Sequence, residues 1–170
     1  VAALTLNIFH QHADRIRGAN IAQVVNVLQS MILTKEEKMV LTPTYHVFEM
    51  YNVHQGATNL PIEVKTTTRS AGKYNIPTVS ASASKDKAGK IHLSLANIDH
   101  DKGIEISALL EGTNATKVSG RILTAPSVDT YNTFDAPNAI APKSFTDATL
   151  KEGKLTVKMP ARSILVLELQ

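Results

Sequence analysis

From Leu60 onward, apolar side chains recur at every second position. Ile62, Val64 and Thr66 alternate with polar neighbours, as do Val79, Ala81 and Ala83, and then Ile91, Leu93 and Leu95. Ile104 and Ile106, Leu155 and Val157, and Ile164 and Val166 followed by Leu167 and Leu169 continue the pattern. A period of two puts alternate side chains on opposite faces of a strand. Clusters of turn-forming residues separate the runs: Lys85-Asp86-Lys87-Ala88-Gly89, Asp99-His100-Asp101-Lys102-Gly103, Glu111-Gly112-Thr113-Asn114 and Glu152-Gly153. Short strands at this spacing predict a mainly β domain, an antiparallel sandwich of jelly-roll type, with the last residues built into its sheet.

The first 56 residues follow a different rule. Val1 to His12 is apolar on nearly every side until His10, the pattern of a helix packed between other elements. Thr42-Pro43 predicts a helix start, with Thr as N-cap and Pro in the first turn. Tyr45, Phe48 and Tyr51 then recur at a spacing of three, and Gly56 is a stop signal. Asp14 to Gln23 suits either a short helix or a strand. The change of period near Gln55 to Asn59 divides the chain into residues 1–56 and 57–170. Val1 opens directly into an apolar run, with no initiator Met and no basic segment of the kind that begins a signal peptide. The run is shorter than the ~20 apolar residues needed to cross a bilayer. The simplest expectation is a chain entering midway through a helix of a longer protein.

Composition narrows the chemistry. The net charge is +3, with Lys and Arg scattered. No basic stripe marks a nucleic-acid surface, so neither nucleic acid nor membrane is an expected partner. Without cysteine there is no disulfide, thiolate site or thiol nucleophile. The six histidines are dispersed. His10 and His12 are two apart and point in different directions on a helix. His46 and Glu49 could share a face, but no third ligand lies near, so the histidines read as structural and no metal or cofactor is expected. Asp99 to Gly103 looks like the start of a calcium loop, but its twelfth residue is Leu110, and a hairpin turn fits better. There is no G-x-S-x-G elbow. Glycoside hydrolysis by retention needs two carboxylates ~5 Å apart. Those present lie in a polar loop (Glu36, Glu37), on a helix (Glu49) or in turns, with no matched pair. The sandwich lacks Trp, and Tyr74, Tyr131, Phe134 and Phe145 read as core or corner packing rather than a sugar platform.

Two N-terminal motifs carry a resemblance. HADRIRGANIAQVVN, His12 to Asn26, followed by LTPTYHVFEMY, Leu41 to Tyr51, is similar to the α-L-arabinofuranosidases of glycoside hydrolase family 51. Asn132 to Asn138 (NTFDAPN) and Met159 to Leu169 (MPARSILVLEL) resemble the end of that family's C-terminal sandwich. The resemblance implies a (β/α)8 barrel followed by a β-sandwich. Val1 to His12 would be the seventh barrel helix, Arg15 to Gln23 the eighth strand and Pro43 to Tyr51 the last helix. Barrel active sites sit at the C-terminal ends of the strands. Gln23 would lie there, matching a family glutamine that hydrogen-bonds arabinose, with Asn20 and Asn26 beside it as further substrate-binding candidates. The family's two catalytic Glu residues belong to earlier strands, before Val1, so no catalytic residue is expected in this chain. The implied partners are an arabinose-containing glycan and the missing N-terminal barrel segment. A second copy is a further candidate partner, because apolar faces left open by the missing barrel need cover. The rival expectation is a stand-alone sandwich for carbohydrate binding or oligomerisation.

Overall fold

A computed structural model describes residues 1–170. In chain order the elements are helix α1 (Ala2–Gln11), strands β1 (Ile32–Lys35) and β2 (Lys38–Leu41), helix α2 (Pro43–Tyr51), a 3-10 turn (Asn52–His54), then β3 (Thr58–Leu60), β4 (Thr68–Ala71), β5 (Tyr74–Pro77), β6 (Val79–Lys85), β7 (Ile91–Asn97), β8 (Ile104–Leu109), β9 (Val118–Thr124), β10 (Lys143–Phe145), β11 (Ala148–Lys151), β12 (Lys154–Met159) and β13 (Ser163–Leu169). No helix is long and apolar enough to cross a membrane.

The alternating runs form an antiparallel sandwich. One sheet has six strands in the order β10-β9-β13-β7-β6-β3, and the other has three in the order β11-β12-β8. Their facing surfaces make an apolar core. Leu165, Leu167 and Leu169 of β13 meet Leu155 and Val157 of β12, flanked by Leu93 and Leu95 of β7 and Ala81 and Ala83 of β6. In β13 the alternation runs through Ile164 and Val166 into Leu167 and Leu169, yet Leu165, Leu167 and Leu169 share the sandwich core. Val166 packs against the helices on the opposite side. The strand lies between β7 and β9 and packs apolar side chains on both faces, so Ile164 to Leu167 are apolar without a break and alternation cannot fix the face there.

The helices close the outer side of the six-stranded sheet. A second apolar cluster joins Ala3 of α1 and Val47, Met50 and Tyr51 of α2 to Ala96, Leu123, Ile140 and Val166. The predicted helix start is present: the Tyr45 N–H donates to Thr42 Oγ1 at 3.4 Å. The buried stripe of α2 is His46, Val47, Met50 and Tyr51, however, and Tyr45 and Phe48 are half-buried. Helix α1 buries only Ala3 and Asn7, and Ile8 is 50% exposed. It is therefore packed on one side here rather than all round.

Two expected strands are missing. Arg15 to Gln23 is irregular, and the only ladder contact nearby is a parallel bridge from Val25 to Ile32. A strand exists by pairing, and nothing among these 170 residues offers this segment a ladder. Ile62 to Thr66 is also irregular. There the chain is held through side chains: the Thr66 and Thr67 hydroxyls lie 2.9 and 2.8 Å from the Thr78 hydroxyl. Glu36 and Glu37 form the tight turn of the β1–β2 hairpin, with Glu36 at φ +54°.

Candidate functional site

Asn20, Gln23 and Asn26 lie on the irregular stretch between α1 and β1, and all three are exposed. Asn26 is already engaged. Its Nδ2 donates to Thr34 Oγ1 at 2.8 Å, and its Oδ1 accepts the Thr34 N–H at 2.8 Å. Its φ of +53° is one that Asn tolerates better than most side chains. Asn26 thus braces the hairpin that follows it. The chain after Gln23 is apolar and open: Val24, Val25 and Leu28 are exposed, Leu28 by 88%, as is Met39 of the following hairpin. Such a grouping on a folded chain marks a surface meant to be covered.

This stretch is tied to the sandwich through one loop. Asn132, in the long connection from β9 to β10, donates from Nδ2 to the carbonyls of Leu41 and Ile140, each at 2.8 Å. Its Oδ1 accepts the Ile140 N–H at 2.7 Å. A buried amide using three bonds in this way fixes the loop against the end of β2. Thr42 completes the junction, donating from Oγ1 to the Ser30 carbonyl at 2.9 Å.

The carboxylates are committed elsewhere. Glu49 accepts a 2.7 Å bond from Arg121. Asp99 and Asp101 come close, with His100 between them, in the β7–β8 turn. Asp99 Oδ1 accepts the N–H groups of Asp101 and Lys102 at 2.9 and 3.0 Å, and Arg69 stands 3.6 Å away. Those backbone bonds hold the Asp99 carboxyl below the usual carboxylate range, the reverse of what a proton-donating acid needs. His100 Nε2 faces Arg69 at 3.1 Å and Asp101 at 3.0 Å. The cluster is an ion-paired turn, but β7 and β8 belong to different sheets, so it is a crossing from one sheet to the other and not the expected hairpin.

The fold gathers histidines that look unrelated in sequence. Where the helices meet the six-stranded sheet, β6 presents Ser80, Ser82 and Ser84, and β7 presents His92 and Ser94. Asn7 Nδ2 donates to Ser80 Oγ at 3.1 Å, and Ser82 Oγ donates to Asn7 Oδ1 at 2.9 Å. Ser82 Oγ, 3.0 Å from His10 Nδ1, is then the acceptor there, which assigns the proton of His10 to Nδ1. His54 is held at both nitrogens, 2.7 Å from Ser84 Oγ and 2.6 Å from Ser94 Oγ. Gln11 Nε2 donates to the Ala81 carbonyl at 2.8 Å. Burial pushes the His54 imidazole down to about 3 and lowers His10 as well. Tyr51 Oη is buried without a partner, and burial raises its pKa against the pull of nearby Ser94 and Asn7. Serines at every second position of β6 are the sequence signal for this seam. The three histidines themselves are too far apart in the chain to suggest it.

The aromatic residues of the sandwich differ from expectation. Tyr74 and Tyr131 are 63% and 68% exposed, and only Phe145 enters the sandwich core. Tyr74 sits at the start of β5 in a two-stranded hairpin outside both sheets, so no opposing layer covers it.

The profile of the family described as "Alpha-L-arabinofuranosidase C-terminal domain" matches residues 1–163. A Bacteroides ovatus protein named an intracellular exo-alpha-L-arabinofuranosidase is 52% identical over 171 residues, taking in 100% of this chain and 33% of that protein. A Bifidobacterium longum intracellular exo-alpha-(1->5)-L-arabinofuranosidase is 27% identical over 168 residues, taking in 93% of this chain and 30% of its own length. The crystal structure of a GH51 arabinofuranosidase from Xanthomonas axonopodis pv. citri superposes with a TM-score of 0.96 at 47% identity, covering 99% of this chain and 34% of that one. The chain spans about a third of the length of these relatives.

Proposed function

Since the chain belongs to the family of α-L-arabinofuranosidase C-terminal domains, we propose that it is the non-catalytic C-terminal part of a retaining exo-α-L-arabinofuranosidase. The parent enzyme releases terminal arabinofuranosyl groups from arabinan- or arabinoxylan-type glycans. Residues 57–170 brace the catalytic barrel, and residues 1–56 complete it. The observation that carries this reading is the set of exposed apolar side chains that follows Gln23, namely Val24, Val25 and Leu28, with Met39 in the next hairpin. An upstream segment that supplied a ladder for Arg15 to Gln23 would bury that surface and turn the irregular stretch into a strand.

In the parent, one upstream carboxylate attacks the anomeric carbon while a second protonates the departing oxygen and then activates water. This chain adds one wall of the pocket. The Gln23 amide offers a donor and an acceptor, which suits the paired hydroxyls of a furanose. Asn20 is a second contact. Asn26, bonded twice to Thr34, positions the wall more than it touches sugar.

In the longer enzyme that carries this chain, Gln23→Ala should lower kcat/KM by about 5- to 150-fold, the loss expected for one or two hydrogen bonds to a sugar. An unchanged kcat/KM would remove Gln23 from the site. The 170-residue chain alone should release no arabinose from an aryl arabinofuranoside. It should also self-associate through the Leu28 surface, which sedimentation velocity would detect. A strictly monomeric chain would count against the need for cover. The exposed rings of Tyr74 and Tyr131 favour a second reading, a sugar-binding sandwich. Saturable binding of arabino-oligosaccharides that is lost on changing either tyrosine would support it.

A further inference from the structure

His54 lies where helix and sheet meet, 9% exposed. Its ring centroid is 4.5 Å from that of His10 on α1, 5.7 Å from that of Tyr51 on α2 and 6.4 Å from that of His92 on β7. Three imidazoles thus share one largely buried space, and the groups bonded to His54 are neutral serine hydroxyls. We propose that this seam is an acid-opened latch, in which protonation of His54 and His10 releases α1 from the six-stranded sheet while the sandwich core and α2 stay in place.

The groups around His54 give its charged form little compensation. From α1 comes His10, a second base. From α2 comes the Tyr51 phenol. From β7 comes His92, whose Nε2 is 3.1 Å from Asp86 in the β6–β7 turn. Beyond His92, its ladder partner Glu168 on β13 is paired with Lys90 at 3.0 Å. Both carboxylates are therefore engaged with other cations or bases at the edge of the seam. Serine oxygens could accept two N–H bonds from a charged ring, but they bring no countercharge. Burial, with His10 and His92 adding to it, holds His54 neutral down to about 3.

The remaining contacts decide which element moves. Helix α1 is bonded to the sheet through Asn7, His10 and Gln11, and its apolar hold is the lighter one, buried Ala3 with Ala2, Leu4 and Leu6 only partly covered. Helix α2 is anchored by Val47, Met50 and Tyr51 in the apolar cluster. When α1 leaves, it carries His10 into water and opens His54 to solvent, so both charges are relieved by one movement. The sandwich core on the other face is built from apolar side chains alone and gives acid nothing to act on. Residues 12–23 follow α1 directly, so opening also frees the segment bearing Asn20 and Gln23.

Amide hydrogen exchange of the 170-residue chain, corrected for the intrinsic effect of pH, tests this between about pH 7 and pH 4. The α1 amides should lose protection by at least about tenfold, while those of α2, β12 and β13 keep theirs. In His54→Gln, which cannot take a proton, the α1 loss should shrink to the part due to His10. Flat α1 protection, parallel loss in α1 and β13, or an unchanged response in His54→Gln would each overturn the latch. If that variant fails to dock α1 at neutral pH, the ring signals of His54 in the unaltered chain decide. They should show the charged form only as α1 protection disappears. A ring that charges near its ordinary value with α1 still protected would overturn the proposal.

Discussion

The two faces of the six-stranded sheet are made by alternate residues of the same strands, yet they are held by different forces. On the inner face, Ala81, Ala83, Leu93, Leu95, Leu165 and Leu167 meet the three-stranded sheet through apolar contact. On the outer face, Ser80, Ser82, Ser84, His92 and Ser94 meet the helices through hydrogen bonds of set direction, beside a smaller apolar cluster that includes Ala96, Leu123 and Val166. Apolar burial is strong, non-directional and indifferent to pH. A hydrogen bond adds little net stability but costs much when one partner is removed inside the protein. The inner face should therefore set how stable the chain is, and the outer face how exactly the helices are seated.

The largest test acts on the inner face. Leu167→Ala, at a position with no solvent exposure, should cost about 2–5 kcal/mol by the lost burial and the cavity left behind. Denaturant unfolding should show nearly the same loss at acid and neutral pH. Asn7→Ala on the outer face should cost about 1–3 kcal/mol at neutral pH, because Ser82 and Ser80 lose their partner. Its effect depends on pH. Burial lowers His54 from its ordinary 6.5 to about 3. The seam's contribution is thus complete above about 6.5 and drains away as pH falls toward about 3. The Asn7→Ala penalty should fade with it, and a penalty constant with pH would make the two faces alike. The smallest effect belongs to the rim, where Arg121 and Glu49 pair at 2.7 Å between half-exposed side chains. Arg121→Ala should cost less than about 1 kcal/mol and lose significance at high salt. A larger loss would mean that charge, and not only hydrogen bonding, seats α2.

The inner face was readable from the sequence because its rule is local. Val79, Ala81 and Ala83, Leu93 and Leu95, and Leu155 and Val157 all face the core as their alternation requires. The intervening turns also fall where Asp86 to Gly89, Asp99 to Gly103 and Glu152-Gly153 place them. The C-terminal-domain family and its sandwich were legible through whole motifs. Three features were not. In β13, burial on both faces erased the alternation that would have oriented Ile164 and Val166. At Arg15 to Gln23, the motif implied a strand, but strand formation depends on partners, and none of these residues supplies one. The outer seam draws His10, His54 and His92 from positions more than eighty residues apart at their extremes. No local pattern can report contacts that only the tertiary fold creates. Among the proposed sugar contacts, Gln23 and Asn20 rest on motif similarity, and the two bonds of Asn26 to Thr34 give it a separate structural task.

The place of β13 has a consequence for the order of assembly. The strand sits in the middle of its sheet, pairing with β7 on one side and β9 on the other. Without residues 163–169 the sheet is two pieces, β3 with β6 and β7, and β9 with β10, each showing the other an open edge. Neither piece can be joined by contacts between near neighbours in the chain. Closure waits for a strand that must find Asn97 and Thr124 from Ser163, and long-range pairings of this kind are slow. The sheet is finished at its centre, its keystone set by residues far along the chain from the strands it joins.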